Sequence, residues 1–223
     1  SAFYGIGRAA LQSLTERQYN KQRSSKLTPQ LESSLTFFVF LLHGLPPRRC
    51  YLRKDKRPPL FVFSDAMYEA LRDDSGDYVS TIDDKGNIFY LAEATIAFLV
   101  FDPMKRVWHA GSKYVGLDVI KDMVPEKKTY IGQREVLAAA AVLENIPPHI
   151  LRERSAIMWI DNLSAKYGLQ KGYSKVDDSG RIINAFKVKQ ADLQMRIWFE
   201  YIPSEQNIAD LPSRGAWARM YEI

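Results

Sequence analysis

The chain has a single cysteine, Cys50, in 223 residues, so it can form no internal disulfide. That fits a reducing compartment, and an intracellular location, cytoplasm or nucleus, is expected. Long apolar runs are also missing. Phe37 to Leu42 holds six residues and the longest, Val136 to Leu143, eight, against the roughly 20 that a bilayer-spanning helix needs, so no membrane association is expected. No charged-then-apolar segment opens the sequence, and no route to secretion is expected. Internal repeats and low-complexity tracts are absent, which excludes solenoid and fibrous architectures. Acidic residues are scarce in the first quarter: residues 1–60 carry eleven lysines and arginines against three acids, a net of +8, so the overall +5 leaves −3 for the remainder. Such a basic arm is a plausible phosphate-binding surface, because counterion release favours Lys and Arg on nucleic acid. A solvated face or leader would have the same composition.

A hydrophobic content of 46% is ordinary for a globular chain with a real core. The length fits one large domain or a domain with an appendage. The first part reads as helical. Residues 2–20 form a moderate helix, and Lys21 to Lys26 a polar linker. Thr28 then caps a second helix that has Pro29 at its first position and is stopped by Gly44 with Pro46 and Pro47. The centre of that helix, Leu35 to Leu42, is apolar nearly all round and is expected to be buried. Pro46 to Pro59 reads as a basic connector. The expected organisation is therefore a helical basic extension or connector over 1–59 and a larger α/β domain over 60–223.

From Leu60 the pattern alternates between strand and helix. A strand is expected over Leu60 to Ser64. Two turn signals, Asp74-Ser75-Gly76-Asp77 and Asp83-Asp84-Lys85-Gly86-Asn87, bracket short β-prone runs. A hairpin follows, Thr95 to Phe101 with Arg106 to His109, turning at Asp102-Pro103-Met104-Lys105. After a charged loop, Gly132 leads into an alanine-rich helix, Arg134 to Asn145. Residues 156–160 read as a strand, 163–170 as a short helix, 181–196 as a longer one and Ile197 to Ile202 as a last strand. A short helix is expected after Asp210. This order suits a mixed sheet with helices on both faces.

Four acids stand out by context. Asp65 closes the run Phe61-Val62-Phe63-Ser64, Glu135 opens the alanine-rich helix, and Asp161, followed by Asn162, closes Ile157-Met158-Trp159-Ile160. Asp210 lies in Asn207-Ile208-Ala209-Asp210-Leu211-Pro212-Ser213-Arg214. Each has an ordinary structural role open to it: a turn at Asp65, a helix-dipole contact at Glu135, N-caps at Asp161 and Asp210. Four that converge would instead make a site for hard divalent ions, which take oxygen ligands.

This ordered set resembles the ribonuclease H family, and the ending Asn-Ile-Ala-Asp-Leu-Pro-Ser-Arg looks most like ribonuclease H domains of Gypsy-type or DIRS-type retroelement reverse transcriptases. The resemblance spans residues 60–214. It implies a ribonuclease H-like five-stranded mixed sheet in which the first and fourth strands are neighbours. It also implies two Mg²⁺ (or Mn²⁺) ions held by Asp65, Glu135, Asp161 and Asp210, with Asp65 bridging them. The implied activity is metal-dependent hydrolysis of the RNA strand of an RNA–DNA hybrid. The implied partners are that hybrid and a polymerase domain on the N-terminal side. Asn162 and Gln133 are candidates for RNA contacts near the metals, and Arg214 for a phosphate contact. Lys166 and Lys171, interleaved with Tyr167 and Tyr173, are candidates for a basic grip on the duplex. One departure is clear. Cellular members carry a histidine in the loop before the last acid, whereas Glu200 to Asn207 has none. A non-catalytic nucleic-acid-binding or assembly module of the same fold is the alternative.

Overall fold

The computed structural model describes residues 6–19, 26–44, 56–121, 123 and 130–220. Two helices come first, α1 (Arg8–Tyr19) and α2 (Pro29–Gly44). The sheet region opens with β1 (Leu60–Ala70), a small hairpin of β2 (Ser80–Ile82) and β3 (Ile88–Tyr90), and the long hairpin of β4 (Ala92–Asp102) and β5 (Val107–Tyr114). Then come α3 (Leu117–Ile120), α4 (Ile131–Asn145), α5 (Pro148–Leu151) and β6 (Ser155–Ile160). The chain continues through α6 (Leu163–Lys171), α7 (Asp177–Asp192), β7 (Arg196–Tyr201), a 3-10 turn at Ser204–Gln206, α8 (Asp210–Ser213) and α9 (Trp217–Met220). No helix among the described residues is long and apolar enough to cross a membrane.

The main sheet has the order β5-β4-β1-β6-β7. β4 runs antiparallel to both β5 and β1, while β1, β6 and β7 are parallel. This is the mixed five-stranded sheet that the ribonuclease H resemblance implies, with β1 beside β6. Strand alternation sorts its two faces. Leu60 and Val62 of β1, Phe98 and Val100 of β4, and Ala156, Met158 and Ile160 of β6 pack with Val136, Ala139, Val142 and Leu143 of α4 and with Ile183 and Phe186 of α7. The other face carries an aromatic row, in which Phe63 stacks on Trp159 at 4.8 Å and Phe101 meets Trp108 at 4.8 Å. Near Asp65 this second face is covered by α8, which packs on β1 and β4.

A buried ion pair ties the β4–β5 turn to the start of β6. Arg154 Nη2 lies 3.2 Å from Asp102 Oδ1 and also donates to the Pro58 carbonyl at 3.1 Å. Burial alone would raise the Asp102 carboxyl, but Arg154 and the Met104 N–H outweigh it and hold the group below its usual range. At Gly111 a side chain is excluded: a Cβ there would sit 2.7 Å from the Phe98 ring.

Several expectations change: the hairpin strands are longer than expected, at Ala92–Asp102 and Val107–Tyr114, and α1 starts at Arg8 and α4 at Ile131. β1 does not stop at Ser64 but runs to Ala70, because β4 keeps pairing with it as far as Ala70↔Ala92 after β6 has ended at Ser64↔Ile160. The long helix α7 begins and ends four residues earlier than 181–196. The apolar α2 is not buried all round. Leu31, Ser34 and Leu41 are buried, yet Leu35, Val39, Phe40 and Leu42 are exposed, because α2 packs on α1 and clusters with Ala191 and Val188 of α7 through Phe37, Phe38 and Leu41. Its N-terminus is as expected, with the Leu31 N–H donating to Thr28 Oγ1 at 3.2 Å. Most of the Lys21–Lys26 linker, of the Pro46–Pro59 connector and of the charged loop before Gly132 lies outside the described residues, as does Cys50.

Candidate metal centre

Asp65 is not the end of a strand but the first β1 residue beyond the β6 pairing. There β6 leaves the sheet, and its own next residue is Asp161. Parallel pairing of β1 with β6 therefore sets the two aspartates at one lip of the sheet. Glu135 reaches the same point from the second turn of α4, which packs across β1 and β4. Each of these three carboxylates offers an oxygen that lies within 4.8 Å of the others'.

The electrostatics are those of crowded anions out of water. Burial, then the charges of Asp161 and Asp65, push Glu135 up to about 9, against a hydrogen bond from the Ala66 N–H. Burial likewise pushes Asp65 up to about 6; the Ser213 hydroxyl opposes this, and the charges of Asp161 and Asp210 add to it. Asp161 Oδ2 accepts from the Ser204 hydroxyl at 2.8 Å. Glu135 Oε2 and Asp161 Oδ1 are buried and have no hydrogen-bond partner. Buried carboxylate oxygens without donors, arranged mutually within ligand reach, fit a hard divalent cation.

Asp210 stands apart from these three. It is the first residue of α8, is not its N-cap, and pairs with Arg214, Nε to Oδ1 at 2.6 Å. It is close enough to raise Asp65 but is not one of the three clustered ligands. The same pair occupies Arg214, the expected phosphate contact. Asn162 caps α6, its Oδ1 accepting from the Ala165 N–H at 3.0 Å. Gln133 is buried within α4. Lys166 and Lys171 flank the half-exposed Tyr167 ring, at 4.9 and 5.7 Å from its centre.

Two residues of the site have roles that the sequence pattern does not announce. Asn207 donates to the Ser64 carbonyl at 3.0 Å and accepts from the Ala209 N–H at 3.2 Å, so the asparagine of Asn-Ile-Ala-Asp hangs α8 on β1 beside Asp65. Ser204, in the loop that lacks a histidine, holds Asp161.

No family model matches the chain, and no curated protein matches it. Among the solved structures similar to it are two described as RNase H proteins. One is the N-terminal RNase H domain of rv2228c from Mycobacterium tuberculosis, solved as a fusion with maltose binding protein: TM-score 0.48, 12% identity, covering 73% of this chain and 96% of that one. The other is RNase H1 from the halophilic archaeon Halobacterium salinarum NRC-1: TM-score 0.43, 14% identity, covering 72% of this chain and 98% of that one.

Proposed function

We propose that this chain is a metal-dependent endonuclease of the ribonuclease H type, hydrolysing the RNA strand of RNA–DNA hybrids. The observation that carries this reading is the convergence of Asp65, Glu135 and Asp161. A module that only binds or assembles has no use for three carboxylates crowded at a cost in folding stability. The retroelement setting, with a reverse-transcriptase polymerase domain on the N-terminal side, is supported by the Asn207–Arg214 ending alone.

Asp65, Glu135 and Asp161 are the residues that would hold Mg²⁺ or Mn²⁺, and Asp210 would complete a second site on parting from Arg214. A pair of such ions supplies activation of a water and stabilisation of the leaving oxygen in an in-line phosphodiester displacement. Around them, Ser204 fixes Asp161, and Asn207 fixes the loop that presents Asp210. On α6, Lys166 and Lys171 with Tyr167 offer charge and a ring to a backbone, which suits a duplex recognised by shape and 2′-hydroxyls rather than by base edges. The test is cleavage of an end-labelled hybrid with Mg²⁺ and with EDTA. Cleavage confined to the RNA strand and to the metal-containing sample is the expected result.

The Asp210–Arg214 pair favours the second reading, a non-catalytic nucleic-acid-binding module, because it withholds the fourth carboxylate. Hybrid binding without cleavage in either Mg²⁺ or Mn²⁺ would decide for it.

A further inference from the structure

At the start of β6 and β7, away from the carboxylates that follow the end of β6, lies a cavity of about 600 Å³ lined by α1, the end of α6, α7 and β7. Its charged lining residues are Arg8, Lys171, Lys187 and Arg196, and no aspartate or glutamate lines it among the described residues. Lys187 is the unusual member. It is 4% exposed, yet its ammonium meets a neutral acceptor, Gln190 Oε1 at 3.0 Å, above the rings of Phe199 and Phe186 at 5.0 and 5.6 Å. Gln190 is itself fixed, donating to the Met195 carbonyl at 3.2 Å. On the rim, exposed Arg8 donates to the Lys171 carbonyl at 3.0 Å, which brings the N-terminal helix to the cavity.

A buried ammonium is costly unless a counter-charge offsets it. Here burial first, and then Arg8, lower the Lys187 amine to about 8. The other charged residues of the lining are likewise cationic: Arg8 from α1, Lys171 from α6 and Arg196 from β7. Among the described residues lining the cavity, none offers Lys187 an anion.

We propose that this cavity binds a phosphate-type oxyanion, with Lys187 as its inner contact and Arg8 and Lys171 at its rim. The anion is either a phosphate of a nucleic-acid backbone or a free phosphate compound. The site does not depend on the proposed hydrolysis, since it shares no residue with the carboxylate cluster.

Sulfate is the appropriate probe, because it does not titrate near neutrality. The full chain in EDTA, at constant ionic strength, is titrated with sulfate while the Gln190 side-chain amide is followed by NMR. Saturable binding is expected, weakened at least about tenfold by Lys187→Met and, independently, by Arg8→Gln on the exposed rim. Affinity should also fall as pH rises through about 8, where Lys187 loses its charge. Absence of saturable binding, or affinity unchanged in both variants, overturns the proposal. Hybrid binding across a salt series then assigns the source. If the cavity takes a backbone phosphate, Lys187→Met reduces the slope of log affinity against log salt by about 0.9. An unchanged slope with sulfate binding lost identifies a free phosphate compound.

Discussion

Asp65→Asn should stabilise the metal-free protein at neutral pH while leaving its stability in acid unchanged. Asp65 is 4% exposed, and its carboxyl is raised from 3.8 to about 6, chiefly by burial. A group whose folded value lies above its unfolded value binds its proton more tightly in the folded state. Its contribution is therefore fully present below about pH 4, is lost as pH rises through the folded value near 6, and is flat above that. About two units at 1.36 kcal/mol each give on the order of 3 kcal/mol lost between acid and neutral pH. Asparagine carries no charge to desolvate, and it also removes one of the two charges that raise Glu135. The variant should thus unfold at higher urea in EDTA at neutral pH, by on the order of 3 kcal/mol, and match the parent near pH 4.

Magnesium should reverse the order. The parent gains RT ln(1 + [L]/Kd) from a ligand that binds only the folded state, and the variant, short of one ligand, gains less. Urea unfolding in EDTA and in Mg²⁺, each at acid and neutral pH, gives the four measurements needed. A parent whose metal-free stability is flat between pH 4 and 7, with a variant no more stable at pH 7, would refute the argument that burial and crowding of carboxylates dominate this site.

Three further outcomes follow from particular contacts. Asp161→Asn should abolish hybrid cleavage with folding and hybrid affinity retained, checked by single-turnover cleavage beside a binding titration; near-normal cleavage would remove Asp161 from the metal set. Ca²⁺ should support hybrid binding with little turnover, because its larger, looser coordination shell tolerates poor in-line geometry, and equal rates in Ca²⁺ and Mg²⁺ would contradict this. Arg154→Met should destabilise the fold by about 3–5 kcal/mol at neutral pH, since it leaves Asp102 buried and unpaired, and much of that loss should be recovered near pH 3, where Asp102 can take up a proton; urea midpoints at the two pH values measure it.

Much of the sheet was legible because its signals are local. The apolar run before Asp65, the Asp102–Lys105 turn and the apolar run before Asp161 each mark an element in the stretch that forms it. The length of β1 was not, because what carries it to Ala70 is β4, whose Ala92–Ala97 half pairs with it across a hairpin insertion. The exposure of α2 was equally hidden. An all-round apolar helix reads as buried, and only its packing against α1 and α7 shows that Leu35, Val39, Phe40 and Leu42 are left exposed. For the site, the types and order of Asp65, Glu135 and Asp161 carried the signal, while their approach to within 4.8 Å needs the parallel pairing of β1 with β6. Asp210 was grouped with them by motif, and its pairing with Arg214 four residues on is a local helix contact that the motif does not report.

The fold handles the surplus negative charge of these four acids in different ways. Burial and its two acidic neighbours raise Glu135 to about 9, which favours its protonated form. Asp65 is held near 6, with the Ser213 hydroxyl opposing its burial. Asp161 rests one oxygen on Ser204 and leaves the other bare, and Asp210 is neutralised by Arg214. These devices do part of what bound divalent cations would do, and two of them, the proton of Glu135 and the Arg214 pair of Asp210, would have to give way when cations arrive. Ligation by Glu135 at neutral pH therefore requires release of its proton. Ligation by Asp210 requires Arg214 to leave, which would free a guanidinium beside the site for a phosphate. Cation affinity, proton release and the availability of Arg214 are on this view one coupled equilibrium, set by how deeply the fold buries Glu135 and Asp65.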